Sequence, residues 1–267
     1  MGLAVIGGGA MGEAMIRGVL AEGSLSPQDI SVCDINAARL ETLKKTYHIK
    51  PGKDYESALK GADVVVLAVK PQNLPDLMPQ IKGRLKSTQV VLSILAGARI
   101  DTIANGLGHK RIVRAMPNTL AQIGMGITVW TAADSVTKKQ KAAAQNILSA
   151  MGKEIFVSDE AYIDMATAVS GSGPAYFFYM IEGLTEAATA IGLPAEMAQE
   201  LALETALGAA LLARQTGKPP QELRKMVTSP GGTTAAGIAR LEDGKFKELL
   251  AVAVAAAHKR AKELGSK

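Results

Sequence analysis

The chain has 267 residues, 48% of them hydrophobic and 21% charged, and carries a formal net charge of +5. This composition excludes a disordered or low-complexity chain, and the length allows one large domain or two smaller ones. The positive charges are spread along helical segments around Lys138 and Lys259 without interleaved aromatic residues. We therefore expect solvated helix faces and no nucleic-acid partner.

The start of the chain and its apolar segments predict a cytoplasmic protein with no membrane partner. The first residues run directly into a strand pattern, without the charged segment and cleavage site of a signal peptide. No apolar run approaches the ~18 residues of a membrane-spanning helix. Cys33 is the single cysteine, so no intrachain disulfide can form, and its apolar surroundings indicate a small core residue in a reducing compartment.

Over the first 158 residues, short β-branched runs alternate with helical patterns. The predicted strands are Leu3–Ile6, Ile30–Cys33, Val64–Val69, Val90–Ile94, Ile112–Ala115, Gly126–Trp130 and Glu154–Val157. The helices between them include Met11–Glu22, Ala37–Tyr47 and Lys138–Met151. This alternation predicts an α/β fold with a doubly wound, mostly parallel sheet and helices on both of its faces.

Residues 159–267 show helical periodicity and no strand pattern. Predicted helices run from Pro174 to Ile191, from Pro194 to Gln215, from Thr233 to Leu241 and from Lys245 to Leu264. The change of pattern predicts a domain boundary near residue 158, with an α/β domain at 1–158 and an all-helical domain at 159–267.

The segment Ala198–Ala213 is rich in Ala and Leu around most of its helical circumference. A helix that is apolar on most sides must be covered on most sides. Because a small helical domain offers few places for this, we expect a homodimer or higher homo-oligomer in which helices pack across subunits. The alternative is a single central helix in a monomeric bundle.

The glycine pattern G-x-G-x-x-G directly follows the first predicted strand. Gly7 permits a tight turn, Gly9 lets backbone N–H groups approach a pyrophosphate, and Gly12 allows close packing of helix on strand. With Ala10 and Met11 at the N-terminus of the next helix, this loop is typical of a site for NADH or NADPH. The alternative is a glycine-rich turn without a ligand.

The end of the second strand bears on the choice between these two cofactors. Asp34 is placed to accept both ribose hydroxyls of NADH and to repel the 2′-phosphate of NADPH. Asn36 and Arg39 follow, and Arg39 is placed to pair with that phosphate. Asp34 is alternatively the N-cap of the helix that begins near Ala37. The sequence leaves the preferred cofactor open.

Loops after three further strands are also assigned to the cofactor site, because the carboxyl ends of parallel strands face the ligand crevice of a doubly wound sheet. The assigned residues are Ala68, Val69, Lys70, Pro71, Ala96, Gly97, Pro117 and Asn118. The first loop is expected beside the nicotinamide ribose, and Pro117 and Asn118 beside the nicotinamide. The alternatives are a surface charge for Lys70 and plain loop structure for the segments at Ala96-Gly97 and Pro117-Asn118.

A second glycine motif, Ser229-Pro230-Gly231-Gly232-Thr233-Thr234, precedes a short helical pattern. Glycines at a helix start expose successive N–H groups, which bind small anions such as a carboxylate. The hydroxyls of Ser229, Thr233 and Thr234 add further donors. The alternative is a helix N-cap at Thr233 or Thr234 after a flexible lead-in.

A Gly/Ser loop at 170–175 opens the helical part of the chain. It either passes close to the nicotinamide or joins two helices tightly. Tyr176 and Phe177, which follow it, are expected in the core.

The remaining chemistry-bearing residues show no metal spacing and no serine nucleophile motif, and we expect no metal. His48, His109 and His258 lie in polar loop or helix-end contexts away from both glycine motifs. The reaction is therefore expected to lack a histidine base. Reduction of a C=N bond fits, because a protonated imine is already electrophilic and hydride positioning supplies most of the rate.

Five stretches of the chain resemble the Δ1-pyrroline-5-carboxylate reductases, which make L-proline. They are GGGAMGEAM at 7–15, AVKPQ at 68–72, RAMPNT at 114–119, VSGSGPAYFF at 169–178 and LRKMVTSPGGTTAAGIARLE at 223–242. They span nearly the whole chain in the order and spacing of the family, and the last is close to the family signature.

The resemblance implies an N-terminal Rossmann domain and a C-terminal helical dimerisation domain, often assembled as a decamer of five dimers with the active site at the dimer interface. It implies hydride transfer from NAD(P)H to the C=N bond of Δ1-pyrroline-5-carboxylate, the last step of proline biosynthesis. Asp34 is a departure, because relatives that use NADPH tend to carry a neutral residue there.

The resemblance also implies roles within the second glycine motif. Ser229 and the N–H groups of Gly232, Thr233 and Thr234 would bind the substrate carboxylate, with Gly231 in the same loop. Thr234 matches the family threonine that hydrogen-bonds the ring nitrogen, and is the predicted catalytic residue.

Two rival functions are disfavoured by the same motifs. The β-hydroxyacid dehydrogenases resemble this chain at 7–15, but they carry a catalytic lysine on the helix after a similar Gly/Ser loop, and residues 175–191 include no lysine. A non-catalytic nucleotide-sensing dimer would be expected to have a damaged substrate loop, whereas the motif at 229–234 is complete.

Overall fold

The computed structural model describes residues 1–52 and 54–265. The strands are β1 (Leu3–Ile6), β2 (Ile30–Cys33), β3 (Lys50–Pro51), β4 (Val64–Leu67), β5 (Val90–Ser93), β6 (Ile112–Met116), β7 (Gly126–Ala132) and β8 (Gly152–Phe156). The helices are α1 (Ala10–Ala21), α2 (Ala37–Tyr47), α3 (Tyr55–Leu59), α4 (Leu74–Ile81), α5 (Ile100–Leu107), α6 (Lys138–Ser149), α7 (Ala161–Ala166), α8 (Gly173–Ala190), α9 (Ala195–Thr216), α10 (Pro220–Met226), α11 (Thr233–Asp243) and α12 (Phe246–Gly265).

The eight strands form one sheet in the order β3-β2-β1-β4-β5-β6-β7-β8. All neighbours pair in parallel except β6 and β7, which pair antiparallel. The chain winds outward from β1 in both directions, so the strand order reverses between β1 and β4. This arrangement confirms the predicted doubly wound, mostly parallel sheet.

Burial on both faces explains why the central strands read as continuous apolar runs. In β1, Leu3 and Val5 point into the core on one side of the sheet, whereas Ala4 and Ile6 point into the core on the other side. All four are buried, and the same alternation holds in β4. Strands that are covered by helices on both faces read as nearly continuous apolar runs.

The predicted elements differ from the observed ones mainly at their ends. The bounds of β1, β2 and α2 agree with the prediction, whereas β4 ends at Leu67, two positions before the predicted end. The strand Lys50–Pro51 was not predicted, because two residues at a sheet edge carry no alternating pattern. No strand follows Phe156 among the described residues, in agreement with the helical prediction.

Packing divides the chain into two compact units. The first comprises Met1–Ser172 together with the chain from Ala257 onward, and the second comprises Gly173–Ala256. The unit boundary therefore lies after the predicted boundary near 158, because α7 packs with β6 and β7 of the sheet. The functional division at 158 stays a prediction.

A buried arginine holds α7 on the sheet. Arg114 in β6 is 1% exposed, and its guanidinium donates to the carboxylates of Glu160 at 2.8 Å and Asp164 at 2.6 Å. Glu160 also accepts a hydrogen bond from the backbone N–H of Ile100 at 2.9 Å. The Nε of Arg114 has no hydrogen-bond partner among the residues that the structure describes, so the ion pairs offset the burial of this charge.

The second unit buries very little apolar surface within the single chain. Helices α8 and α9 pack against one another, but among the residues described from 173 to 256 only Gly173, Pro174, Ala198 and Ala202 are buried. Its exposed large apolar residues include Phe177, Phe178, Tyr179, Leu184, Leu201, Leu203, Leu207, Leu249 and Val252. The expectation that Phe177 lies in the core is therefore wrong for the single chain. An apolar surface of this extent marks a protein interface.

Within residues 1–52 and 54–265, no helix combines the length and the apolar character that crossing a bilayer demands.

The buried ion pair of Arg114 generates a stability prediction. We expect Asp164→Ala to lower the free energy of unfolding by about 3 kcal/mol, because the change leaves a buried guanidinium with one carboxylate partner. Chemical denaturation at one fixed protein concentration measures the change. The control is Glu56→Ala, which breaks the exposed pair with Arg84 and should cost under about 1 kcal/mol. Equal losses in the two variants would contradict the role given to Asp164.

Candidate functional site

The protein's own packing requires two of the glycines in the first motif. Gly7 has a φ of +106°, and a Cβ there would lie 2.6 Å from the backbone of Ala68. A Cβ on Gly12 would collide with the carbonyl oxygen of Gly7. These two positions bring α1 close to β1 and β4, as the sequence predicts.

Gly9 is different, because nothing in the protein requires a glycine there. Its φ of −65° suits any residue, and apart from Gly9 and its chain neighbours no atom of the described residues lies within 4 Å of the place that a Cβ would take. Gly9 is also the N-cap of α1 and provides no side-chain cap, so the first-turn amides of α1 are left without a side-chain acceptor from it. Both the space and the positive end of the helix dipole fit a pyrophosphate.

A cleft of about 640 Å³ opens at the carboxyl ends of β1, β2 and β4. Seven of the predicted cofactor residues line it, namely Gly7, Gly9, Asp34, Asn36, Ala68, Val69 and Lys70. Lining residues that the sequence analysis did not assign are Ile6, Cys33, Ile35, Tyr55, Gln72, Asn73, Asp76, Leu77 and Gln80. Most of these belong to α3, α4 and the turn before α4, whose short patterns gave no indication that they cover the crevice. The cleft lies at the point where the strand order reverses, which is where dinucleotides bind in this architecture.

Asp34 is held by the backbone on both of its carboxylate oxygens. Oδ2 accepts from the N–H of Gly8 at 2.6 Å, and Oδ1 accepts from the N–H of Asn36 at 2.8 Å. The N-cap of α2 is Asn36, whose side-chain oxygen accepts from the N–H of Arg39 at 3.2 Å. The alternative of Asp34 as the N-cap is therefore wrong, and Asp34 is one of the residues that line the cleft.

Arg39 lies under the glycine loop, where the sequence analysis expected a phosphate contact. Its Nε donates to the carbonyl oxygen of Gly8 at 2.6 Å, and its Nη2 is paired with the carboxylate of Glu13. The hydroxyl of Tyr47 donates to the other oxygen of Glu13 at 3.0 Å. This Glu13–Arg39–Tyr47 network was not predicted. It joins α1 to α2, and the sequence of neither helix indicates this pairing.

The network shifts the ionisation of its members. Burial raises the pKa of Glu13, but the hydrogen bonds from Arg39 and Tyr47 and the charges of Arg39 and Arg17 outweigh it and lower the pKa below the ordinary value. Burial, together with the hydrogen bond to Glu13, raises the pKa of Tyr47. Glu13 is therefore a carboxylate and Tyr47 a neutral donor at neutral pH.

The other predicted cofactor residues lie outside this cleft. Ala10 and Met11 form the first turn of α1, and Pro71 begins the turn that leads into α4. Gly97 is buried with a φ of +77°, and a Cβ there would lie 2.8 Å from Leu264. Contact with α12 thus explains this glycine without a ligand, and the cofactor roles of Ala96 and Gly97 stay predictions.

The loop after β6 is held by its own hydrogen bond. Pro117 and Asn118 are both buried, and Oδ1 of Asn118 accepts from the N–H of Ile127 in β7 at 3.3 Å. This bond accounts for one end of the Asn118 amide, and contact of these residues with a nicotinamide stays a prediction.

The second glycine motif forms a tight turn into α11. The N–H of Gly232 donates to the carbonyl of Ser229 at 3.1 Å, and Gly231 takes a φ of +71°. A Cβ on Gly232 would lie 2.6 Å from the hydroxyl of Ser229, so a larger residue there would displace that hydroxyl. The N-cap is Gly232, not Thr233 or Thr234, and no side chain caps the helix. The amides of Thr233 and Thr234 therefore have no intrahelical partner and stand at the positive end of the helix.

The Gly/Ser loop at 170–175 joins α7 to α8 through a π-helical turn at Thr167–Gly171. The N–H of Ser172 donates to the carbonyl of Thr167 at 2.8 Å, and a Cβ on Gly171 would lie 2.9 Å from the Met116 side chain. This is the tight helix junction that the sequence analysis gave as one of two alternatives.

His109 is buried, which differs from the polar surroundings expected from the sequence. Its Nε2 lies 2.9 Å from the carbonyl oxygen of Gln89, and burial lowers its pKa. It lines neither the cleft nor the turn before α11. Among the described residues, no group of three His, Cys, Asp or Glu side chains has the arrangement of a metal site.

The chain is similar to known proteins over nearly its whole length. A family model described as pyrroline-5-carboxylate reductase dimerisation matches residues 160–264, and one described as NADP oxidoreductase, coenzyme F420-dependent, matches residues 2–97. The pyrroline-5-carboxylate reductase of Synechocystis sp. is 42% identical over 99% of this chain and 98% of its own length.

Solved structures agree with these matches. The pyrroline-5-carboxylate reductase of Coxiella burnetii superposes with a TM-score of 0.89 at 40% identity, over 98% of this chain and 97% of that one. The pyrroline carboxylate reductase of Plasmodium falciparum, solved with NADP bound, gives a TM-score of 0.89 at 30% identity, over 99% of this chain and 98% of that one. The chain belongs to the pyrroline-5-carboxylate reductase family.

Proposed function

We propose that this protein reduces the C=N bond of Δ1-pyrroline-5-carboxylate with NADH or NADPH, giving L-proline in the last step of proline biosynthesis. The observation that carries the proposal is that one chain of this family keeps both glycine motifs complete, one beside a dinucleotide cleft and one at an uncapped helix start. The first motif suits a hydride donor, and the second suits the carboxylate of a small imino acid.

The turn before α11 anchors the substrate in this proposal. The amides of Thr233 and Thr234 and the hydroxyl of Ser229 bind the carboxylate, because they are donors at the positive end of a helix. The N–H of Gly232 already donates to Ser229, so Gly232 contributes through the tightness of the turn together with Gly231. Thr234 places its hydroxyl at the ring nitrogen and is the catalytic residue.

Reduction of the C=N bond requires little from the protein besides the positioning of the substrate and the cofactor. The nicotinamide cofactor supplies the hydride when it is bound. The hydride goes to the carbon of the C=N bond, and the nitrogen carries the proton that becomes part of the secondary amine. The Thr234 hydroxyl orients that nitrogen, and the fixed carboxylate sets which face of the ring is attacked.

The cofactor half of the site uses the residues of the cleft. The first-turn amides of α1, after Gly9, receive the pyrophosphate, and Asp34 lies where the adenosine ribose is expected. The backbone of Ala68, Val69 and Lys70 lines the same crevice. Further contacts from Pro71, Ala96, Gly97, Pro117 and Asn118 belong to this proposal on the sequence argument alone.

The assembly is a homo-oligomer in which the apolar surface of the second unit is covered by a second copy of the chain. A decamer of five dimers and a cytoplasmic location are the finer parts of this proposal, supported by the family resemblance and by the reducing compartment that Cys33 suggests. The residues at 1–158 carry the cofactor, and those at 159–267 carry the dimer contacts and the substrate loop.

The contrast between Gly9 and Gly12 generates a binding prediction. We expect Gly9→Ala to fold with a stability within about 1 kcal/mol of the wild type. It should bind NADH and NADPH at least ~10-fold more weakly, because the methyl group enters the space meant for the pyrophosphate. Calorimetric titration and thermal denaturation measure the two effects. Gly12→Ala is the matched comparison and should lower stability instead. Unchanged cofactor affinity in Gly9→Ala would contradict the assignment of the pyrophosphate to the space beside Gly9.

The role of Thr234 generates a kinetic prediction. We expect Thr234→Val to leave the fold intact and to slow reduction of racemic pyrroline carboxylate by ~10- to 1,000-fold, as for loss of one preorganised donor. Steady-state oxidation of NADH and NADPH measures the rate. Thr216→Val is the control, because that exposed hydroxyl donates only within its own helix. Wild-type turnover in Thr234→Val would remove its catalytic role.

The exposed surface of α9 generates a prediction about assembly. We expect light scattering to give at least a dimer for the wild type, and Leu203→Glu or Leu207→Glu to weaken association by ~1.5–3 kcal/mol or more, because each change removes a buried leucine from the interface. Gln28→Glu adds the same charge on the first unit and should leave the mass unchanged. A wild type that is monomeric by light scattering would contradict the proposal that a second copy of the chain covers the apolar helices.

A further inference from the structure

Two charged side chains form hydrogen bonds with the backbone of Gly8 in the glycine loop. Asp34 accepts from the N–H of Gly8 at 2.6 Å, and Arg39 donates to the carbonyl of Gly8 at 2.6 Å. Asp34 directly follows β2, and Arg39 lies in the first turn of α2. Arg39 therefore has a structural use in the loop, and its guanidinium is directed at the protein backbone.

Glu13 holds the other side of the same guanidinium. Its carboxylate pairs with Nη2 of Arg39 and accepts a second hydrogen bond from Tyr47 at 3.0 Å, which fixes the carboxylate in place. Arg39 is 28% exposed in this arrangement, and neither Arg39 nor Glu13 lines the cleft. The guanidinium of Arg39 is thus neutralised before any ligand binds.

The cleft itself is unfavourable for an additional anion. Its lining charges are the carboxylates of Asp34 and Asp76 and the ammonium of Lys70. NADPH differs from NADH by a 2′-phosphate on the adenosine ribose, and sites that accept it present an arginine, whereas sites that reject it present an acid that accepts the ribose hydroxyls. Here the acid faces the cleft and the arginine is engaged elsewhere.

We propose that Glu13 is a specificity-determining residue: by holding Arg39 against the glycine loop it withholds the cation that a 2′-phosphate needs, so the protein binds NADH in preference to NADPH. The inference rests on the proposed function for the identity of the ligand. Glu13 touches neither cofactor nor substrate and acts by positioning Arg39.

The test uses two fragments, ADP-ribose and its 2′-phosphate, titrated calorimetrically into the full-length protein. The wild type should bind ADP-ribose at least ~10-fold more tightly. Glu13→Gln should shift the affinity ratio towards the phosphorylated fragment by about 10-fold, because the released guanidinium gains a charge-assisted contact. The effect of Glu13 on the pyrophosphate at the positive end of α1 is common to both fragments, whereas its direct repulsion of the 2′-phosphate is the part that remains in an Arg39→Leu background.

Three variants separate this role from general electrostatics and from loss of structure. Glu22→Gln removes the same charge at the exposed far end of α1 and should leave the ratio unchanged. Tyr47→Phe keeps the ion pair and should also leave it unchanged. In an Arg39→Leu background, Glu13→Gln should move the ratio by less than about twofold, since the cation that it releases is gone. Thermal denaturation of each variant establishes that it is folded.

The possible outcomes distinguish failure of this inference from failure of the proposed reaction. Equal or tighter binding of the phosphorylated fragment by the wild type overturns the preference, and an unchanged ratio in Glu13→Gln overturns the role of Glu13. Discrimination between fragments without turnover of pyrroline carboxylate would remove the proposed reaction and leave this inference standing. Binding of neither fragment would overturn both.

Discussion

The aligned pairing of three parallel strands is the constraint on which the cofactor half of the site depends. Leu3 of β1 pairs with Ile30 of β2 on one side and with Val64 of β4 on the other, so the three strands end level with one another. The glycine loop, Asp34 and the segment that begins at Ala68 consequently leave the sheet at the same edge. A shift of register in either pair would separate these groups by the rise of a residue and turn the side chains to the opposite face.

Much of this arrangement is readable in the sequence because local chemistry dictates it. Continuous apolar runs indicate strands that are buried on both faces. The positive φ of Gly7 and the close backbone contacts at Gly7 and Gly12 mean that only glycine fits at these two positions. Seven of the predicted cofactor residues accordingly line one cleft. The turn before α11 was equally readable, because two successive glycines before a helical pattern have few other uses.

The rest depends on contacts between distant segments, which periodicity does not contain. The pairing of Glu13 with Arg39 joins α1 to α2, and nothing in either helix indicates which of its charged residues face each other. The burial of His109 and the contact of Gly97 with Leu264 have the same origin. The boundary of the first compact unit after Ser172 was not predicted, because the strand pattern ends before α7 whereas α7 still packs on the sheet.

The last helix has a consequence for the order in which the chain can fold during its synthesis. The chain from Ala257 onward belongs to the first compact unit, although α12 begins in the second. Leu264 packs on Gly97, close to the carboxyl end of β5. The nucleotide-binding half therefore lacks a piece of its packing until Leu264 has left the ribosome. Completion of the half that is synthesised first must wait for α12.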